Sequence, residues 1–260
     1  MMRHALALLG LLALVAAGCG GGTGGTSPAH TQTGSQPTPT QTGPATPTTT
    51  LHIYLLHAGR VQPVARTAPK TAGVAAAAMQ ALIAGPISAE TQLGLSTAMP
   101  SLGQWSVGLN DGLLRLDEST PLDREALAQV VFTLTQFPTV KSVEISGKRY
   151  TRPDFEGETP IIAVESPLPF QHVTSPLRAT GTANTFEATF DYELADPDGK
   201  VVATHFVTAT SGSGERGTFD FTVPYTVARA GLGELIVFER SAKDGSRIHI
   251  NEIPIYLDKS

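Results

Sequence analysis

The feature that most constrains how this chain folds is a segment, residues 20–50, from which no packed domain can be built. Eleven of its residues are Thr, seven are Gly and five are Pro, and none is Asp, Glu, Lys or Arg. Such a segment cannot bury enough apolar surface to offset the entropy lost on ordering, so we predict a disordered tether. As a flexible coil it has a root-mean-square span of about 30 Å. Folded structure is therefore expected from residue 51 onward.

The residues before the tether, 1–19, have the features of an export signal. Arg3 and His4 form a short basic start, followed by an apolar stretch at 5–17. That stretch is too short to span a hydrocarbon core of about 30 Å as a helix. It ends in the sequence AAGC at 16–19, which resembles the bacterial lipobox. The resemblance implies a lipoprotein signal peptide, cleaved before Cys19, whose thiol then carries the lipid. The alternative is a plain export signal with an incidental cysteine.

Composition excludes several classes of protein. The chain has 260 residues, of which 41% are hydrophobic, enough for two domains with real cores. The net charge is −5, and the 18 Lys and Arg residues form no basic run, so no nucleic-acid partner is expected. The single cysteine excludes an intrachain disulfide framework and any multi-cysteine metal site.

Residues 51–151 predict a compact α+β domain with the element order ββαββαβ and its helices on one face of a sheet. Strands are expected at 51–56, 61–66, 104–110, 113–117 and 140–146, the third and fourth joined by the hairpin signal Asn-Asp-Gly at 110–112. A first helix is expected from Thr71 to Ala84, with a buried stripe of Ala75, Ala78, Met79 and Leu82. A second helix is expected to begin with Thr120 as N-cap, Pro121 at N1 and Asp123 at N3.

Residues 152–160 predict a proline-bounded acidic linker between two domains, with Asp154, Glu156 and Glu158 solvated. Residues 161–260 predict an all-β immunoglobulin-like sandwich without a disulfide. Seven strand-like runs recur there, at 161–164, 177–182, 186–194, 201–208, 218–223, 233–238 and 248–257. The alternation over 186–194 places the even-numbered side chains inward.

No motif in the sequence marks a catalytic or metal site. A nucleophile elbow, a paired-histidine zinc motif and a Walker loop are absent. His52 and His57 are five residues apart and would point to opposite faces of one strand. The run from Asp196 to Gly199 fits a turn better than a calcium loop, and the glycines between 212 and 217 fit a flexible hairpin loop. Trp105 is expected to pack in the first core. We therefore predict no enzyme, no cofactor and no metal.

Several runs within residues 51–151 resemble the GerMN domain, a family named for a spore-germination and sporulation lipoprotein. The runs that carry the resemblance are 53–55, 61–66, 82–86 (LIAGP), 94–100 (GLSTAMP) and 132–140 (FTLTQFPTV). The resemblance implies an extracytoplasmic, non-catalytic module with an architecture similar to the ring-building modules of secretion and sporulation channels. It implies no catalytic residues.

Residues 161–260 resemble the immunoglobulin-like domain of bacterial spore-germination proteins, which is often found behind a GerMN domain. The runs that carry this resemblance are 175–177, 181–188 (GTANTFEA), 198–202 (DGKVV), 206–212 (FVTATSG), 217–219, 223–225 and 239–246 (ERSAKDGS). His205 and Phe170 depart from the small residues expected at those positions.

The sequence as a whole predicts a non-catalytic binding or assembly protein of the bacterial cell envelope, similar to spore germination and sporulation lipoproteins. Its expected place is the extracytoplasmic face of the cell membrane, held there by the lipid on Cys19. Expected partners are envelope proteins, further copies of the chain, or peptidoglycan. One alternative is a receptor for a small cell-wall ligand such as a muropeptide, and a cell-wall enzyme is the more distant one.

Overall fold

The computed structural model describes residues 47–70, 73–101, 105–110, 113–118 and 120–259. The expected signal peptide, Cys19 and the tether through residue 46 lie outside this range. Within it, an α+β part is followed by a β-sandwich, which confirms the predicted fold class. None of the helices in the described ranges has the length and apolar character needed to cross a membrane.

The α+β part is built on two sheets where the sequence predicted one. Strand β1 (Thr48–His57) pairs with β2 (Arg60–Pro69) along its whole length and with the two-residue strand β3 (Leu95–Ser96) at its end. The last three residues of the predicted tether, Thr48 to Thr50, belong to this strand, because they pair with the end of β2. Threonine is β-branched and suits a strand.

The second sheet has the order β4 (Trp105–Asn110), β5 (Leu113–Glu118), β6 (Ser142–Ile145), β7 (Lys148–Tyr150). Strands β4 and β5 are antiparallel with Asn110 opposite Leu113, which confirms the predicted hairpin. The sequence missed β7. Ser146 and Gly147 both have positive φ, and two such residues make the tight turn that returns the chain as a hairpin.

Three helices accompany these sheets: α1 (Val74–Ala84), α2 (Ser88–Gln92), which the sequence did not predict, and α3 (Arg124–Leu134). The predicted buried stripe of α1 is confirmed at Ala78, Met79 and Leu82, whereas Ala75 is only partly buried. The predicted N-cap of α3 is wrong. Asp123, not Thr120, caps the helix, because its carboxylate accepts a hydrogen bond from the Ala126 amide at 2.8 Å.

Helix α3 provides hydrogen-bond partners for backbone groups of β1 on the side of the strand away from β2. Thr133 Oγ1 accepts from the Tyr54 amide at 3.0 Å, and Gln129 Nε2 donates to the Tyr54 carbonyl at 2.8 Å. Gln136 makes the same pair of bonds with the amide and carbonyl of His52. Polar side chains of a helix thus take the place of a neighbouring strand. This arrangement fixes Tyr54 and His52 relative to α3.

The sandwich consists of a three-stranded and a five-stranded sheet, with the orders β13-β10-β8 and β12-β11-β14-β15-β9. The strands are β8 (Ile162–Ser166), β9 (His172–Val173), β10 (Leu177–Ala183), β11 (Thr189–Ala195), β12 (Val201–Thr208), β13 (Gly217–Val223), β14 (Gly231–Arg240) and β15 (Arg247–Leu257). All seven predicted strands are present. Their inward side chains form one core, with Phe190, Leu235 and Ile253 among its buried members.

Two local predictions for the sandwich are wrong. Phe186 was expected inside but is 63% exposed, because residues 186–188 form a 3₁₀ turn before β11 begins. The glycine-rich loop 212–216 is not a hairpin, since β12 and β13 lie in different sheets. A Cβ on Gly212 would lie 2.4 Å from the Thr185 carbonyl oxygen, so the close approach of two backbones accounts for that glycine.

Candidate functional site

The connector between the two domains contains regular secondary structure. Residues Arg152–Glu158 form a 3₁₀ helix capped by Thr151, whose amide and hydroxyl both donate to Asp154 Oδ2, at 2.7 and 2.8 Å. These hydrogen bonds from Thr151 hold the pKa of Asp154 below its ordinary value. The segment therefore has a defined shape and does not act as a flexible spacer.

The other acidic residues of the connector are ion-paired, which corrects the expectation of a solvated linker. Glu158 accepts from Arg124 Nε of α3 at 2.6 Å. Glu156 accepts from the guanidinium of Arg216 in the sandwich, at 2.8 and 2.9 Å, and from Asn184 at 3.0 Å. The connector is thus tied to both domains, because its carboxylates meet an arginine on either side.

The electrostatics of Glu156 show which effect dominates at this contact. Burial acts to raise its pKa, but the hydrogen bonds from Arg216 and Asn184 outweigh burial and hold the pKa below its ordinary value. Glu156 therefore stays ionised in the folded protein.

Arg60 of β2 also contacts the connector, since its Nη1 donates hydrogen bonds to the carbonyl oxygens of Gly157 and Thr159, both at 2.9 Å.

The connector and the parts of both domains that contact it form a junction. At its centre is a cluster of Tyr54 from β1, Arg152 from the connector and Glu165 from β8. Arg152 Nη1 donates to Glu165 Oε1 at 2.9 Å, Arg152 Nη2 donates to the Tyr54 hydroxyl at 3.2 Å, and that hydroxyl donates to Glu165 Oε2. Arg152 also donates to Thr135 Oγ1 at 2.8 Å, and its guanidinium lies 4.7 Å from the centre of the Phe132 ring.

Burial shifts the pKa values in this cluster. Tyr54 is 1% exposed, and burial, followed by the charge of Glu165, raises the pKa of its phenol well above the ordinary value. Tyr54 is consequently a permanent hydrogen-bond donor to the carboxylate. Burial acts to lower the pKa of Arg152, but interactions with Tyr54 and Glu165 reverse that effect and raise it. The cluster is therefore a fixed ion pair with a buried phenol.

Three cavities of about 500, 510 and 640 Å³ surround this cluster, and Glu165 lines all of them. Five carboxylates line the three cavities. Four of them pair with an arginine: Glu90 with Arg66, Glu156 with Arg216, Glu165 with Arg152, and Asp220 with Arg178. The fifth, Glu215, is exposed. The pKa values of Glu156 and Asp220 lie below their ordinary values because hydrogen bonds from arginine outweigh burial, whereas a general acid needs a raised pKa.

The other candidate residues from the sequence do not converge on a site. His52 is partly buried and lines a cavity, and burial lowers the pKa of its imidazole, whereas His57 is exposed. Trp105 packs against the first core as predicted. Asp196 makes a turn, its Oδ1 accepting from the amides of Asp198 and Lys200 at 2.9 Å. Among the described residues, His, Asp and Glu form no group of three that fits a metal ion.

The junction cluster escaped prediction because its members are far apart in the chain. The Tyr54 hydroxyl meets residues 98 and 111 positions away. Periodicity reports which face of a strand is buried, and it carries no information on contacts between domains. The one available signal was Arg152 next to Pro153, a charged residue at a rigid boundary.

Comparison with known families assigns both domains. The family described as "Sporulation and spore germination" matches residues 52–148, and the family described as "Immunoglobulin-like domain of bacterial spore germination" matches residues 161–246. The chain carries a GerMN domain followed by an immunoglobulin-like domain of the spore-germination type. Both family descriptions name spore germination, one of them also names sporulation, and neither describes an enzyme.

Two solved structures show weaker likeness. The tandem GerMN domains of the sporulation protein GerM from Bacillus subtilis are 19% identical, with a TM-score of 0.32, over 68% of this chain and 62% of theirs. CopC from Methylosinus trichosporium OB3b is 16% identical, with a TM-score of 0.26, over 38% of this chain and 93% of its own. The chain thus spans less than two thirds of the GerM structure. At these TM-scores neither likeness supports an argument about function. No curated protein matches the sequence significantly.

Proposed function

We propose that this protein is a non-catalytic binding and assembly module of the bacterial cell envelope, held at the extracytoplasmic face of the membrane by a lipid on Cys19. The observation that carries the proposal is the ion-paired junction. Arg124 of the GerMN domain and Arg216 of the sandwich pair with two carboxylates of the connector, and Arg152 of the connector pairs with Glu165 of the sandwich. These ion pairs join the connector to both domains. The domains then present their outer surfaces to a partner as one body.

Each segment has a role in the proposal. The lipid on Cys19 fixes the chain to the membrane, and the threonine-, glycine- and proline-rich tether sets its reach at about 30 Å root-mean-square. The GerMN and immunoglobulin-like domains supply the surfaces that bind envelope proteins, another copy of the chain, or peptidoglycan. The family assignment supports this role, since both family descriptions name spore germination and neither names a catalytic activity.

The anchoring part of the proposal is tested by mass spectrometry of the N-terminal peptide from protein made in a bacterial host. The expected peptide begins at Cys19 and carries acyl chains, and the protein partitions with the membrane. A Cys19→Ser variant serves as the control and is expected to lose both properties. A peptide that begins elsewhere, or an unmodified Cys19, would refute lipid anchoring and leave the domain assignments untouched.

The assembly part is tested by crosslinking in living cells that produce the full-length chain, followed by identification of the captured proteins. Recovery of the chain itself or of one envelope complex, lost in the Cys19→Ser control, supports the proposal. Recovery of wall glycan alone would move the function to wall binding. Turnover of purified wall fragments that is lost on single carboxylate substitution would overturn the non-catalytic assignment.

A further inference from the structure

A fourth and smaller cavity, of about 110 Å³, lies between the two domains. His57, Gln62 and Leu95 line it from the GerMN domain, and Glu234 and Glu252 line it from β14 and β15 of the sandwich. It is a different site from the Arg152 cluster, since Pro169 is the one lining residue that it shares with the three larger cavities and none of its polar lining residues lines them. Its chemistry also differs from theirs.

The two carboxylates of this cavity have no cationic partner. Glu252 lies opposite Ile236 and Pro254 lies opposite Glu234, so the two glutamates are diagonal neighbours on one face of the sheet. Neither forms an ion pair with any residue in the described ranges, unlike four of the five carboxylates of the larger cavities. Glu234 is partly buried and Glu252 is exposed, and burial, followed by the charge of Glu252, raises the pKa of Glu234.

Gln62 gives this cavity a second unsatisfied group. The residue is 5% exposed, and its side-chain nitrogen has no hydrogen-bond acceptor. A buried donor without a partner costs about 1–3 kcal/mol, so native proteins rarely retain one without a reason. The cavity thus combines two carboxylates that have no cationic partner among the described residues with a buried amide nitrogen that has no acceptor.

We propose that this cavity binds a small primary ammonium compound with an oxygen acceptor one or two carbon atoms from the nitrogen, as in amino alcohols and amino acid amides. The ammonium group donates to Glu234 and Glu252, and the oxygen accepts from the Gln62 amide. The volume sets the size, since a cavity of about 150 Å³ holds benzene and this one holds less. His57 is the remaining polar residue on the wall of the cavity.

An organic cation fits this site better than a metal ion. In the described part of the chain, His57, Glu234 and Glu252 are not among any group of three residues arranged to hold a metal. A metal ion would also leave the Gln62 nitrogen unsatisfied, because that nitrogen is a donor. The inference goes beyond assembly at the envelope and does not depend on it.

The test is titration of the full-length protein with glycinamide and with ethanolamine, followed by calorimetry. Acetamide, which lacks the charge, and methylammonium, which lacks the acceptor, are the matched ligand controls. We expect both probes to bind more tightly than both controls. Vesicles containing phosphatidylethanolamine, titrated in parallel, distinguish a lipid headgroup from a free amine as the source of the ligand.

Variants separate binding from folding. Glu234→Gln is expected to weaken binding of glycinamide about tenfold or more, as loss of a charge-assisted hydrogen bond implies. The same change removes a partly buried charge next to a second carboxylate, so the variant is expected to unfold at the same temperature or a higher one. Gln62→Leu is expected to remove the preference for glycinamide over methylammonium, and Glu144→Gln, in a distant surface pair, to change neither property. Absence of binding by both probes, or binding unchanged in Glu234→Gln, would overturn the proposal.

Discussion

Replacement of Arg152 by methionine is expected to weaken the interface between the two domains. Methionine keeps an apolar stem over the Phe132 and Tyr54 rings but removes the guanidinium. Four hydrogen bonds are lost, to Glu165, Tyr54, Thr135 and the Phe132 carbonyl. The carboxylate of Glu165 then remains at the junction without its cation.

The magnitude follows from the burial of the pair. The side chain of Arg152 is 31% exposed and that of Glu165 is 24% exposed, so solvent screens the pair in part. Breaking a fully buried pair by removing one partner costs about 3–5 kcal/mol, whereas an exposed pair contributes about 0–1 kcal/mol. For a pair buried to this degree we expect Arg152→Met to lower the free energy of unfolding by about 2–3 kcal/mol.

Equilibrium unfolding in urea, followed by tryptophan fluorescence from Trp105 and by circular dichroism, measures this loss. Glu165→Gln and the double variant complete a cycle whose coupling energy is expected to exceed about 1 kcal/mol. Arg178→Met is the control, because the Arg178–Asp220 pair is exposed and its loss is expected to leave the transition nearly unchanged. A loss below about 0.5 kcal/mol for Arg152→Met would show that the junction does not depend on this pair.

Three further predictions concern single residues. Burial lowers the pKa of His52 in the folded protein, so the unfolded chain binds a proton more readily than the folded one. The stability that the neutral imidazole contributes is therefore retained above about pH 6.5 and lost as the pH falls towards the folded pKa. A His52→Gln variant should show a weaker loss in acid melts, and an unchanged pH profile would contradict this cause. Gln129→Leu leaves the Tyr54 carbonyl and the Ala98 amide without partners and is expected to cost about 2–4 kcal/mol in urea unfolding, against little for Gln80→Leu on the exposed face of α1. Gly181→Ala would place a Cβ 2.0 Å from the Ala163 carbonyl oxygen and is expected to lower stability by at least about 2 kcal/mol. Gly108→Ala, with open space around it, should melt like the unsubstituted protein, and equal melting of the two variants would refute the packing argument.

Much of the fold could be predicted because local signals determine it. Strand-like runs at regular spacing located β8 and β10 to β15, with period-two alternation clear in β11, and the 3.6-residue period located α1 and α3. The errors arose where two local signals compete. Thr120 and Asp123 are both good N-caps, and only the hydrogen bond to Ala126 identifies Asp123 as the cap. Phe186 continues the alternation of β11, yet positive φ at the next two residues turns it outward.

The junction could not be predicted for a different reason. The pairs Arg152–Glu165 and Arg216–Glu156 depend on how one domain sits against the other, and no sequence period reports that arrangement. The same holds for Gln62, Glu234 and Glu252, which belong to different domains and meet only at the cavity. These three side chains lie between the domains, whereas the sequence signals lie within them.

The central claim is that the two domains form one rigid body, and a distance measurement between spin labels tests it most directly. Labels are placed through Ser88→Cys in the GerMN domain and Lys243→Cys in the immunoglobulin-like domain, both exposed positions, in a Cys19→Ser background. The account predicts a single narrow distance distribution for the unsubstituted junction and a broader one when Arg152→Met is added. A broad distribution with the junction intact would contradict the account.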